Sequence, residues 1–182
     1  MSRARDFADL AAGITTADLP TGSVLQVKQS VKTDTFSTTS QTAVDVTGLT
    51  VAITPISTSS KILISAHVYC SGDAQVDSIV GFLGKGGSVI SSFIADAASN
   101  RPRGTMHQFS GDGAASGTNN EMYVLSTECL DSPSTTSATT YSVMIRVANG
   151  NTGYINRTIE DRDTANFDPR AISTITVKEI AG

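Results

Sequence analysis

Charge is scarce in this sequence. Lysine, arginine, aspartate and glutamate make up 16% of its 182 residues, with a balance of -4 at pH 7. The pI is near 5.0, and basic residues are scattered except at Arg3/Arg5 and Arg101/Arg103. No positive field gathers phosphates, so nucleic acid is not an expected partner. Long apolar runs are missing too, and nothing approaches the ~18 residues that a bilayer crossing needs. The first 20 residues lack the apolar centre of a secretory signal, because Asp6 and Asp9 interrupt their one apolar run. The expectation is a chain made in the cytoplasm, neither inserted in a membrane nor exported by that route. Cys70 and Cys129 are the only cysteines; without an export signal they predict free buried thiols rather than a bridge.

Hydroxyls fill the space that charge leaves. Serine and threonine together number 47, and tryptophan is absent. Threonine suits a pleated sheet and serine its connections, so the bias favours strands and turns over long surface helices. A domain of this length buries roughly 70% of its unfolded surface, enough for a core without disulfides.

From Gly22 onward the apolar residues recur with period two, the period of a half-buried strand. In 61–70 the positions Ile62, Ile64, Ala66, Val68 and Cys70 are apolar while Lys61, Ser65 and His67 fall on the other side. In 141–147 the inward set is Tyr141, Val143, Ile145 and Val147, with Arg146 pointing away. Similar runs at 24–31, 44–46, 49–53, 79–83, 89–94, 122–130 and 171–180 bring the expectation to about nine strands. Turn-forming stretches separate them, among them 55–60, 84–87, 110–120, 131–138 and 149–153. No segment after residue 20 sustains a helical stripe. The fold class predicted is all-β, an antiparallel β-sandwich of jelly-roll type over 22–182, preceded by a short segment, 1–21.

A search for chemistry returns little. Gly111-Asp112-Gly113 and Gly117 have the wrong spacing for a dinucleotide fingerprint, and Gly84-Lys85-Gly86 lacks the rest of a phosphate-binding loop and reads as a hairpin tip. His67 and His107 are far apart with no metal-ligand spacing near either. No Gly-x-Ser-x-Gly elbow marks a serine. Glu160, Asp161, Asp163 and Asp168 form the densest carboxylate group; against a glycosidase pair or a calcium loop, a solvated loop balanced by Arg157, Arg162 and Arg170 is the better reading. Asn156-Arg157-Thr158 matches a glycosylation acceptor, without meaning in a chain that is not exported. For Tyr154 two readings stay open: a ring presented on a loop, suited to sugar faces, or the start of a strand with its side chain packed inward. No catalytic residue, metal or cofactor is expected.

The opening segment differs from the rest. Phe7, Leu10, Ala11 and Ile14 sit at helical spacing, with Ser2 as a cap. An isolated helix of this length is marginal in water, so the segment reads as a handle that borrows stability from a partner. Arg3, Arg5, Phe7, Leu10 and Ile14 are its candidate contacts.

The segments 22–36, 50–55, 59–64, 130–141, 152–157 and 173–182, with the opening Met1 to Leu10, resemble a β-rich domain of fibre and other structural proteins of tailed phages, notably those infecting marine bacteria. The resemblance implies a non-enzymatic virion protein located in the particle, a tail or head fibre or knob. It also implies a homo-oligomer, trimeric in that family, held by other virion proteins through its N-terminus. Leu63, Tyr69 and Met144 lie opposite the core-facing sets, leaving second faces that a partner subunit would cover. The loops 110–120, 149–154 and 157–169 are the candidate host contacts, through Asp112, Asn119, Asn149, Asn151, Tyr154, Asp161 and Asp163, toward a surface glycan or protein. The alternative is a capsid decoration or tail adaptor that touches no host.

Overall fold

The structure, a computed structural model, describes residues 19–72, 76–111, 121–148 and 151–182. Among these residues eleven strands form: β1 (Val24–Lys32), β2 (Phe36–Thr38), β3 (Val44–Ile53), β4 (Lys61–Gly72), β5 (Val76–Lys85), β6 (Ser88–Val89), β7 (Met106–Gly111), β8 (Tyr123–Asp131), β9 (Thr139–Val147), β10 (Gly153–Ile155) and β11 (Ser173–Ile180). The predicted handle, with Arg3, Arg5, Phe7, Leu10 and Ile14, lies outside the described residues, as do Asp112, Asn119 and Asn149.

β4 is the centre of one sheet. Its alternation places Ile62, Ile64, Ala66, Val68 and Cys70 in the core at 0% exposure. It pairs with β8 along one edge and with β11 and then β10 along the other, and β1 and β2 complete the sheet outside these. The second sheet runs β3-β9-β5, with β7 and β6 sharing the remaining edge of β5. Every pairing is antiparallel. Taking the eight long strands in chain order, the sheets read first-eighth-third-sixth and second-seventh-fourth-fifth, the two interlocked Greek keys of a jelly roll. Tyr141, Val143, Ile145 and Val147 meet the β4 set as read from sequence, all at 0% exposure. Cys70 is buried and Cys129 half-buried, both free.

Local physics explains the differences from the sequence reading. The runs 44–46 and 49–53 form one strand, with a register shift between Asp45 and Thr50 that Gly48 permits at φ 88°. The run 89–94 is only the short β6 followed by a 3₁₀ turn, Ser91–Phe93. The hairpin tip is confirmed: Gly86 and Gly87 both have positive φ, and Lys85 pairs with Ser88 across them. β2 and β7 carry no clear alternation and give no strand signal, and β10 is foreseen only in the reading of Tyr154 as the start of a strand.

The two sheets differ on their outer faces. On the β3-β9-β5 sheet, Val80, Phe82 and Met144 are buried beneath Ala43, Val89 and Ile94, so the chain covers its own apolar patch. Met144 is therefore not open to a partner subunit. Among the described residues nothing covers the outer face of the β4 sheet in this way. There Leu63 and Tyr69 project with Val124 and Leu130 of β8 and Val27 and Val31 of β1; Tyr69, Val124, Leu130, Val27 and Val31 are all exposed.

Candidate functional site

The ladder registers sort the connections onto two poles. Val24, Ile180 and Lys61 lie in one row, and Gly22 N–H donates to Ala181 O at 2.8 Å, so the chain enters the fold at the pole that also holds 54–60 and 132–138. At the other pole Gly72 pairs with Gly153, Cys70 with Tyr123 and Val76 with Gly111. The connections after β4, after β7 and after β9 leave there, together with the segment 156–171. With twelve residues in β4 at ~3.3 Å each, the poles are roughly 35–40 Å apart. All three loop groups predicted as contacts thus depart from the pole opposite the entry of the chain.

One part of this pole is built by 153–172. β10 ends at Ile155, and the next residue, Asn156, is fully buried with φ 62°. Its amide donates to Lys32 O at 2.8 Å and Asp34 O at 3.0 Å, and its oxygen accepts from Ser173 Oγ at 2.6 Å. Asparagine tolerates the left-handed region better than most residues, and a buried amide with its hydrogen bonds made is an affordable fastening. The glycosylation motif is accordingly spent inside the fold.

Thr158, also buried, donates to Asp168 Oδ1 at 2.6 Å, and Arg162 reaches Asp168 Oδ2 with Nε at 2.6 Å and its backbone N–H at 3.2 Å. Arg170 grips Asp161 with two bonds of 2.6 and 2.7 Å. Such forked pairing is the strongest carboxylate recognition available to a side chain. Asp161, Arg162, Asp163, Thr164, Asp168 and Arg170 line an open cleft of about 330 Å³. The arginines balance the acids as the sequence predicts, but Asp168 is buried rather than solvated, because Thr158 and Arg162 replace its water. Tyr154 matches neither reading. It sits on β10, yet its ring faces outward and half-buried, with the Arg157 guanidinium 4.4 Å above the centroid. Phe167 is exposed and 5.5 Å from the Arg162 guanidinium; a lone phenylalanine in a polar loop carries no periodic signal in the sequence. Asn151 is half-buried ahead of β10.

Burial alone would raise Asp168, but the bonds from Thr158 and Arg162 hold it below the ordinary 3.8. Glu179 is likewise held below 4.5: burial opposes ionisation, while bonds from Gln26 at 2.5 Å and the Ile56 N–H at 2.7 Å favour it. An acid whose folded value is depressed contributes stability above its unfolded value and loses it as pH falls toward the folded one. Melting temperature is therefore expected to hold steady from about pH 7 to 5 and to fall below about pH 4. Thermal melts of Asp168→Asn across that range should show a shallower acid limb; an unchanged limb would place the titration elsewhere. A depressed carboxylate is also a poor proton donor, so Asp168 is not tuned for general acid work. His67 bonds Ser126 at 2.9 Å across the β4–β8 ladder, and among the described residues no group of histidine, cysteine, aspartate or glutamate is arranged to hold a metal. No family model matches the chain, and no curated protein matches it.

Proposed function

We propose that this chain is a non-enzymatic virion structural protein, a fibre or knob of tail or head that is gripped through its N-terminal segment and presents the far pole of its sandwich to the host surface. The observation that carries the reading is polar separation. The chain enters at one end beside Ala181, and the connections after β4, β7 and β9 leave from the other. A rigid jelly roll between them acts as a spacer, and this architecture is shared by viral capsid and lectin domains. Fold alone assigns no task; what supports the reading is that the chain enters at Gly22 at one pole while the strands that carry the predicted contact loops end at the other. At the presenting end, the Asp161–Arg170 cleft and the nearby rings of Tyr154 and Phe167 offer planar polar groups beside flat apolar faces, a surface suited to sugars. Copies on one particle make weak individual contacts effective, because each later contact is intramolecular.

Deleting residues 1–20 is expected to abolish capture of particle components by the purified protein while leaving its strand circular dichroism intact. Tyr154→Ala and Phe167→Ala together should reduce adsorption to host cells at least tenfold without affecting that capture. Unchanged adsorption, with particles that fall apart when the protein is omitted, identifies a decoration or adaptor protein instead. Release of new reducing ends from host envelope would overturn the non-enzymatic reading.

A further inference from the structure

We infer that the outer face of the β4 sheet, which no described residue covers, is the surface on which copies of this chain meet, about a rotation axis parallel to the strands. The inference deepens the appendage reading and rests on it only for the use made of the assembly.

The rows across the face are the reason. One row, read from β8 to β1, is Leu130, Leu63, Lys178, Val27. The next is polar, Glu128, Ser65, Thr176, Gln29, and its bonds run within the sheet: Ser65 to Glu128 at 2.5 Å and Gln29 to Thr176 at 2.8 Å. The row Ser126, His67, Thr174 is also polar until it reaches Val31 at the edge, and the last described row again carries apolar groups, Val124 and Tyr69. Apolar bands thus flank a polar one, and they run across the strands rather than along them.

A rotation axis parallel to the strands preserves height along it. Each band of one copy therefore meets the same band of the next, whatever the number of copies. Leu130 on one edge and Val27 on the other, 52% and 54% exposed, stand at the same height, so opposite edges of adjacent copies bring apolar side chains together. Glu128 and Gln29 likewise share a height, an acceptor facing an amide donor. A partner displaced by one row would set aliphatic groups against the polar band.

Size and shape also favour a second copy over a peptide. Four strands of ~4.8 Å spacing and about nine residues of ~3.3 Å rise along each give a face of roughly 19 by 30 Å, near 600 Å² in projection, against the ~800 Å² of accessible surface that each partner of a stable pair buries. A copy brings a sheet with the same twist, as face-to-face packing requires. The same axis sets the entry of every copy, at Gly22, at one pole and the ends of β4, β7 and β9 at the other.

Light scattering of the full chain over a range of concentrations tests this. The expected result is an oligomer that Val27→Glu with Leu130→Glu converts to a monomer of unchanged circular dichroism. Val27→Thr with Val31→Thr keeps shape and strand propensity, and should move the dissociation midpoint to at least tenfold higher concentration even if the charged pair fails to fold. A monomeric wild type, or either folded variant assembling as the wild type does, overturns the interface. A particle-binding monomer would leave the anchor standing, and an oligomer that ignores particles would leave this interface standing.

Discussion

Asn156→Ala is expected to lower the free energy of unfolding by about 3 kcal/mol, read as a shift in urea midpoint at unchanged slope. Three hydrogen bonds meet at this buried amide, two donated to Lys32 O and Asp34 O and one accepted from Ser173. Alanine makes none of them, and each buried group left without a partner costs about 1–3 kcal/mol less whatever water recovers. Alanine also resists φ 62°, adding on the order of 1 kcal/mol. Asn156→Gly separates the two causes, since glycine accepts the conformation and loses only the bonds. Asn156→Asp keeps the shape but turns a carboxylate toward two carbonyls, and should be no milder than alanine. The loss should concentrate at the far pole, because Asn156 joins β10 to the connection after β1 and to the first residue of β11. Amide exchange in 157–172 should accelerate before that of β4. A variant as stable as the wild type would mean that the loop is held by its arginine pairs alone.

What was legible in the sequence follows from how many residues carry each signal. β4 and β9 place five and four apolar side chains on one side, so period two identified both the strands and their inner faces. β10 has three residues and β2 three, too few for a period to show. They exist because the end of β4 extends past β11 and offers its edge. β7 alternates Met106 with His107 and Gln108 with Phe109, a pattern in which neither face is apolar, and Gln108 is buried with no partner for its amide among the described residues. The charges of the 157–170 loop were readable as balanced, but their pairing was not. That Asp168 sits inside while Asp163 is exposed depends on Thr158 folding beneath the loop, a relation across ten residues without a spacing rule. Second faces were legible in part: Leu63 and Met144 look alike in the sequence, and only the path of the segment after β5 distinguishes the covered face from the open one.

At the entry pole Asp131 plays the part that Asn156 plays at the other, and its removal should rank second in effect. It ends β8 in one sheet and accepts from two residues of the other, Tyr141 Oη at 2.6 Å and Lys85 Nζ at 2.8 and 3.0 Å. The two partners respond differently to its loss. Lys85, about a third exposed, swings its ammonium into water at little cost. Tyr141 has no such exit, being 0% exposed, and its hydroxyl is left unpaired inside the core. Asp131→Leu is therefore expected to cost about 2–3 kcal/mol, and Tyr141→Phe alone about 1 kcal/mol. With Phe already at 141, Asp131→Leu should cost at least 1 kcal/mol less than it does in the wild type, because the orphaned hydroxyl is gone. Burial first, and then the bond and charge of Asp131, push the phenol well above its ordinary 10. A raised folded value means the protonated form is favoured in the native state, so this contribution is complete below about pH 10 and declines above it, as unfolded phenol ionises and folded phenol does not. Urea unfolding at pH 7 and at about pH 11 should thus show a loss in the wild type that Tyr141→Phe reduces. Strictly additive energies in the double variant, together with the same alkaline loss, would show that the carboxylate and the phenol act independently and that the pole is held by packing around them.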